Sequence, residues 1–238
     1  MPVDLLYMVD KDCALCGRAF PVARVRNRLR MLRQDSDFCT VYADINPYYY
    51  DIWVCPHCGY AAQENWFADL KDSAADKLKD FLNGKDVRIA FGGERSRAQA
   101  LDAYRLAIFY AGLTGQPASR LGALFLRMAW LFREAEDEVH EQLALVEARK
   151  HYEQALMRES LPIGNMSELT LEYLVAELYR RTGELERALA GFSRVVGNPK
   201  AKLEKRLLEM AREAWQQTRD QREGRRQAQS QEAELMKP

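Results

Sequence analysis

Two pairs of cysteines carry the most specific chemistry in this sequence. Cys13-Ala-Leu-Cys16-Gly17 and Cys55-Pro-His-Cys58-Gly59 repeat one pattern, CxxCG, with 38 residues between Cys16 and Cys55. A CxxC turn brings two thiolates to one point. The glycine that follows lets the backbone turn its amides toward them without a Cβ clash. Four thiolates make the soft tetrahedral shell that zinc favours. The expectation is a structural Zn2+ held by Cys13, Cys16, Cys55 and Cys58, with each pair reached by a short hairpin as in a zinc ribbon. The spacer exceeds the ~15–20 residues of compact versions, so it must hold an inserted hairpin or loop. A catalytic zinc would leave one position open to water and recruit His or carboxylate ligands. Four cysteines close the shell, and His57, between two of them, is expected to face solvent.

The rival chemistry is redox. Cys55-Pro-His-Cys58 has the four residues of strongly oxidising thiol–disulfide exchange enzymes, in which a helix N-terminus lowers the pKa of the first thiol. A second CxxCG, a glycine where that helix would start and the absence of a βαβ pattern weigh against it. Cys39 stands apart in Asp35-Ser36-Asp37-Phe38-Cys39. It reads as a small buried hydrophobe, with an alternate ligand or a reactive thiol as the sharper options. Its two acidic neighbours disfavour a thiolate.

Charge comes in blocks. Residues 18–33 hold six arginines and no acid, and Arg24, Arg26, Arg28 and Arg30 alternate at period two. On a strand they would share one face, a row able to grip phosphates or other anions, with Tyr48, Tyr49, Tyr50 and Trp53 as stacking surfaces for nucleic acid. The plainer alternative is internal pairing with Asp35, Asp37, Asp44 and Asp51. A third option is docking onto acidic helices, for which Glu134, Glu136, Asp137, Glu138, Glu141 and Glu147 supply a stretch without Lys or Arg.

The elements around these residues change character along the chain. All five cysteines fall in the first 58 residues, where short alternating runs such as VARVRNRLRML and YYYDIWV suit strands. From Glu64 the apolar positions Trp66, Phe67, Leu70, Ala74, Leu78, Phe81 and Leu82 recur at helical spacing, with Asn65 as a cap. NGKDVRIAFGGERSR at 83–97 reads as a connection. Further helices end at 115–117, 161–164, 182–183 and 197–199, each marked by Gly or Pro or both. Within them Ala100/Tyr104/Ala107, Ala148/Tyr152/Ala155 and Ala188/Phe192/Val195 repeat a small–aromatic–small stripe.

That stripe is similar to the second helix of the tetratricopeptide repeat, and LEYLVAELYRRTGELERALAGFSRVVGNP is its best copy; a generic helical bundle is the alternative. The fold class expected is mainly α: a small zinc-ribbon-like β module over 1–62, then tetratricopeptide-like α-α helical repeats over 63–215. A polar tail over 216–238 extends a capping helix briefly and then frays. In stacked repeats the first helix of each pair lines a groove, which puts Leu126, Trp130 and Arg133 in one row and Tyr173, Glu177 and Arg180 in the next. Aromatic surface beside Arg suits an extended peptide bearing carboxylates.

The runs CALCGRAF, RLRMLRQDSDFCTVYADINPYYYDIWVCPHCGYAA and GERSRAQALDAYRLA together resemble a family of uncharacterised bacterial proteins. The family has a cysteine-rich start and tetratricopeptide-like helices, and the likeness covers roughly residues 5–200. It implies this architecture and a bacterial origin, with Cys13, Cys16, Cys39, Cys55 and Cys58 all at family positions. It implies no activity.

The bulk figures exclude other classes. Thirty-five basic and 35 acidic side chains balance, which argues against a surface built throughout for nucleic acid or acidic lipid. The most apolar stretch, at 121–132, contains Arg127 and falls short of the ~20 residues a membrane span needs. The amino terminus lacks a signal peptide's basic and apolar regions, so a cytoplasmic location is expected, where cysteines stay reduced. No Walker loop, HExxH or GxSxG is present, and neither His140 nor His151 sits in a catalytic pattern. The expectation is a non-enzymatic, zinc-binding interaction protein with a protein or peptide partner. Nucleic-acid binding through Arg24–Arg30 and thiol–disulfide exchange are the alternatives.

Overall fold

Each cysteine pair closes a hairpin. In the computed structural model, which describes residues 5–85 and 91–235 and side chains through residue 231, β1 (Leu6–Asp12) pairs antiparallel with β2 (Ala19–Val25). Asp12 stands opposite Ala19, so residues 13–18 form the tip. The long spacer does hold an inserted hairpin, β3 (Met31–Gln34) with β4 (Thr40–Tyr42), bulged between Met31 and Arg33. The second tip follows, between β5 (Ile52–Val54) and β6 (Ala61–Gln63), where Val54 faces Ala61. Alternation along β2 turns Phe20 and Val22 inward and leaves Pro21 exposed.

Among the described residues the rest of the chain forms seven α-helices: α1 (Asp72–Leu82), α2 (Arg97–Leu113), α3 (Ala118–Glu134), α4 (Glu138–Arg158), α5 (Glu168–Arg181), α6 (Leu185–Gly197) and α7 (Lys205–Leu235). Local signals set their ends. Ser96 and Gln99 form a capping box at the start of α2, and the Ser167 hydroxyl accepts from the Thr170 amide at the start of α5. Gly115 and Gly183 adopt positive φ where α2 and α5 stop. Among the described residues, no helix is long and apolar enough to cross a membrane.

Two readings of helix extent change. The apolar pattern from Trp66 to Leu82 is not one helix capped by Asn65: residues Glu64–Trp66 make a 3-10 turn and α1 starts only at Asp72. The aromatic rings explain this. Phe67 packs within 5.6 Å of Trp53 and 4.9 Å of Tyr60, while the Trp66 indole donates to Gln63. Tertiary contact holds the segment in a turn. The polar segment after Gln216 continues α7 to Leu235 instead of fraying after a turn or two, and Arg222 and Arg226 reach Glu186 on α6. Residues 1–4, 86–90 and 236–238, which include parts of the amino terminus, the 83–97 connection and the tail, lie outside the described residues.

The chain packs as two compact units: residues 1–35 with 39–144, and residues 36–38 with 145–238. The change of composition near residue 62 is not where packing divides. Ile52, Val54 and Ala61 share one buried core with Ala100, Ala103, Tyr104 and Ala107 of α2. Arg95 locks the start of β5 into this core. Its guanidinium is buried and donates to the carbonyls of Tyr49 (3.1 Å), Ile52 (2.6 Å) and Phe91 (3.2 Å). Burial lowers its pKa to about 10.

In the second unit α5, α6 and α7 pack in succession around Tyr173, Ala176, Ala188, Phe192, Val195 and Ala211. All nine residues of the small–aromatic–small stripes are buried. The helical hairpins are compatible with tetratricopeptide-like repeats.

Candidate metal centre

The two tips have the same backbone. In the first, Cys13 N–H donates to the Arg18 carbonyl (3.0 Å) and Gly17 N–H to the Cys13 carbonyl (2.9 Å). In the second, Cys55 N–H donates to Tyr60 (2.9 Å) and Gly59 N–H to Cys55 (2.9 Å). Gly17 and Gly59 take φ of +70° and +76°, the left-handed conformation that the CxxCG pattern called for. Each turn therefore delivers two sulfurs to one side of its hairpin.

The four sulfurs meet. One sulfur from each of Cys13, Cys16, Cys55 and Cys58 lies within 4.8 Å of the others. Cys13 Sγ is 3.6 Å from Cys58 Sγ, and Cys16 Sγ is 3.8 Å from Cys55 Sγ. Metal–sulfur bonds of ~2.3 Å in a tetrahedron place sulfurs ~3.8 Å apart. The donor set therefore fits one ion with four thiolates and no open position. Cys13 and Cys55 are buried, Cys58 is half-buried and Cys16 is exposed, so the ion would sit at the edge of the core. His57 is exposed, with Nε2 3.3 Å from the Ala19 carbonyl, and is not in the cluster. Cys39 is buried elsewhere, at the base of the β3–β4 turn, and is not among the four either.

The thiols are already biased toward a shared anion. The hydrogen bond between the Cys58 and Cys13 sulfurs, with the Cys16 and Leu15 amides, lowers the Cys13 pKa to about 5. The same sulfur contact shifts Cys58 up, and burial pushes Cys55 to about 11. No helix begins at Cys55 or Cys58 to lower a first thiol as exchange chemistry needs; β6 follows. The arrangement can neutralise a dication and fasten two hairpins together.

A family model described as "Uncharacterized protein conserved in bacteria (DUF2225)" matches residues 6–218. The chain belongs to this family. Searches of curated proteins and of solved structures found no match. Membership places the chain in a family conserved in bacteria, and chemistry has to be read from the site itself.

The arginine row is broken up. β2 ends at Val25 and β3 starts at Met31, so Arg28 and Arg30 lie in the connection and the four do not share a strand face. Arg24 forms an ion pair with Glu64, Arg26 stacks 5.2 Å from the Tyr7 ring, and Arg28 and Arg30 are exposed. The proposed stacking rings are engaged internally. Tyr48 lies 4.9 Å from Trp130, Tyr49 donates to Glu134 (2.8 Å), and Tyr50 and Trp53 are buried. The aspartates pair mainly with helix arginines: Asp51 with Arg127 (2.8 Å), Asp35 with Arg33 (3.0 Å) and Arg133 (3.1 Å), and Asp37 with Arg181 (3.5 Å).

The two expected groove rows fall in different units. In the first, Leu126 and Trp130 are buried, and Arg133 also bonds Glu141 at 2.7 Å. In the second, Tyr173 and Glu177 have no exposed surface, and Arg180 grips Glu177 through two bonds of 2.6 and 2.7 Å. Ser36, Asp37 and Phe38 belong to that second unit and lie on this row. The Tyr173 hydroxyl donates to the Ser36 carbonyl (2.9 Å), the Ser36 hydroxyl donates to Glu177 (2.6 Å), and the Phe38 ring packs 5.6 Å from that of Tyr173. The sequence pointed to Asp37 only as a partner for the nearby arginines, and not to Ser36, Phe38 or Arg181. The DSDF run carried a signal only as charge, and nothing local ties it to a helix over 130 residues away.

Proposed function

We propose that the protein is a cytoplasmic, bacterial, zinc-binding interaction protein. Its four-cysteine centre is structural, and its tetratricopeptide-like helical face takes a protein or peptide partner. For the metal, the support is the sulfur spacing of 3.6 and 3.8 Å in a closed four-thiolate shell. Soft thiolates in a tetrahedron suit Zn2+, which carries no redox chemistry of its own and needs no free position to stabilise a fold.

One observation carries the binding half. On α5, Tyr173, Glu177 and Arg180 stand on one face, and Tyr173 and Glu177 hydrogen-bond a main-chain carbonyl and a hydroxyl of a non-helical segment. Reading main chain and side chain together is how extended peptides are recognised.

The test has two arms. Metal analysis of the native chain should return one zinc per chain; iron, or no metal, would count against the centre. Arg180→Glu should lose partners captured from a bacterial lysate that the control Arg219→Glu, on α7, retains. Equal capture by both would count against the α5 face.

A further inference from the structure

We infer that the α5 face recognises a short partner segment of serine–acid–aromatic sequence, and that Ser36-Asp37-Phe38 is a tethered stand-in for it. This rests on the peptide-binding reading above and names its ligand class and its regulation.

The receiving surface is built without its occupant. Glu177 is fully buried, yet three of its four donors come from its own helix: two from Arg180 and one from Arg181 (2.9 Å). Pairs at i,i+3 and i,i+4 hold one another in place before anything docks. Only the fourth donor, the Ser36 hydroxyl, is supplied by the segment. A site whose charges are satisfied in advance is preorganised, so little ordering is lost when a ligand arrives.

Each position of the segment is read by a different group. Tyr173 donates to a main-chain carbonyl, which any residue could provide. The Ser36 hydroxyl donates to Glu177 and accepts from Arg181 (3.1 Å), a pairing that needs a hydroxyl. Asp37 is fully buried and faces Arg181 at 3.5 Å, which selects an acid. Phe38 lies on the Tyr173 ring. Phe38 has φ +66°, left-handed as the last residue of a three-residue hairpin loop is, and Asp35 N–H on the Cys39 carbonyl (2.8 Å) closes that loop, so the β3–β4 hairpin presents the segment in a fixed shape.

A tethered occupant sets a threshold. Effective concentrations of joined segments reach the millimolar range, so a partner binds only after displacing Ser36–Phe38, and its apparent affinity falls with the fraction of open sites. If one site in ten is open, the loss is about tenfold.

The probe is a fluorescent peptide with the sequence of residues 33–38, titrated by anisotropy. The full chain with Ser36→Gly, Asp37→Gly and Phe38→Gly should bind it saturably and at least about ten times more tightly than the native chain. A peptide with lysine at the place of Asp37 should not bind. Failure of the vacated chain to bind while it keeps its helical circular dichroism overturns the inference, as does equal binding by the native chain. Should the variant lose its fold, the native chain decides: excess peptide must speed hydrogen exchange at residues 36–38, and no change overturns the inference. Partner capture lost with Arg180→Glu but no peptide binding would leave the interaction reading standing and remove only this ligand class.

Discussion

Gly191 of α6 lies so close to Ala176 of α5 that a Cβ added to it would stand 2.7 Å from the Ala176 Cβ. Side chains do not approach that closely, so the α5–α6 crossing depends on this glycine. Gly191→Ala should destabilise the chain by about 1–3 kcal/mol through overpacking, measured by urea denaturation. Adding Ala176→Gly should recover part of the loss, because two residues in contact do not act independently. Additive losses would mean that the crossing has room to spare.

The metal centre should be acid-labile. A thiolate ligand must stay deprotonated to bind, and an ordinary cysteine has a pKa of ~8.5, so metal affinity falls as pH falls. Bound metal, followed with a chromogenic chelator, should be retained near neutrality and released on acidification. Cys13→Ser or Cys55→Ser should lower metal content, and His57→Ala should leave it unchanged because His57 lies outside the cluster. Loss with His57→Ala would place a nitrogen in the shell.

Glu177 is the buried anion between Arg180 and Arg181. Glu177→Gln keeps the shape but removes the charge, leaving the Arg180 guanidinium without its carboxylate and Arg181 with only Asp37 at 3.5 Å, both at less than about a quarter exposure. A loss of about 3 kcal/mol is expected from denaturant midpoints. A loss below ~1 kcal/mol would mean that water reaches the pair and screens it.

Arg95 tests how the second cysteine tip is positioned. Arg95→Lys keeps the charge but cannot reproduce the fork that bonds the Tyr49, Ile52 and Phe91 carbonyls. Unsatisfied buried carbonyls should cost about 2 kcal/mol. Metal affinity should weaken with it, since Ile52 starts the strand that leads to Cys55. Unchanged metal binding would separate the tip from this anchor.

The parts legible in the sequence are those that rest on neighbours along the chain. CxxCG encodes its own turn through a glycine at positive φ, so both tips and all four clustered sulfurs could be named from spacing. The small–aromatic–small stripes likewise marked buried helix faces, since periodicity is a local property. The reading of 64–82 as one helix failed for the opposite reason. Trp66 and Phe67 satisfy a helical pattern, but the aromatic cluster around Tyr60 offers them a better place.

By itself, then, the sequence determined the cysteine turns, most helix boundaries and the family. Only the tertiary structure decided which charges meet. Asp35, Asp37 and Asp51 had six arginines close by in sequence, yet Asp51 chose Arg127, Asp37 chose Arg181, and Asp35 kept Arg33 and added Arg133. An ion pair depends on distance and desolvation in space, and composition offers many partners of equal chemistry. The placement of Ser36–Phe38 on α5 is the same kind of fact: the residues were always visible, and their neighbours were not.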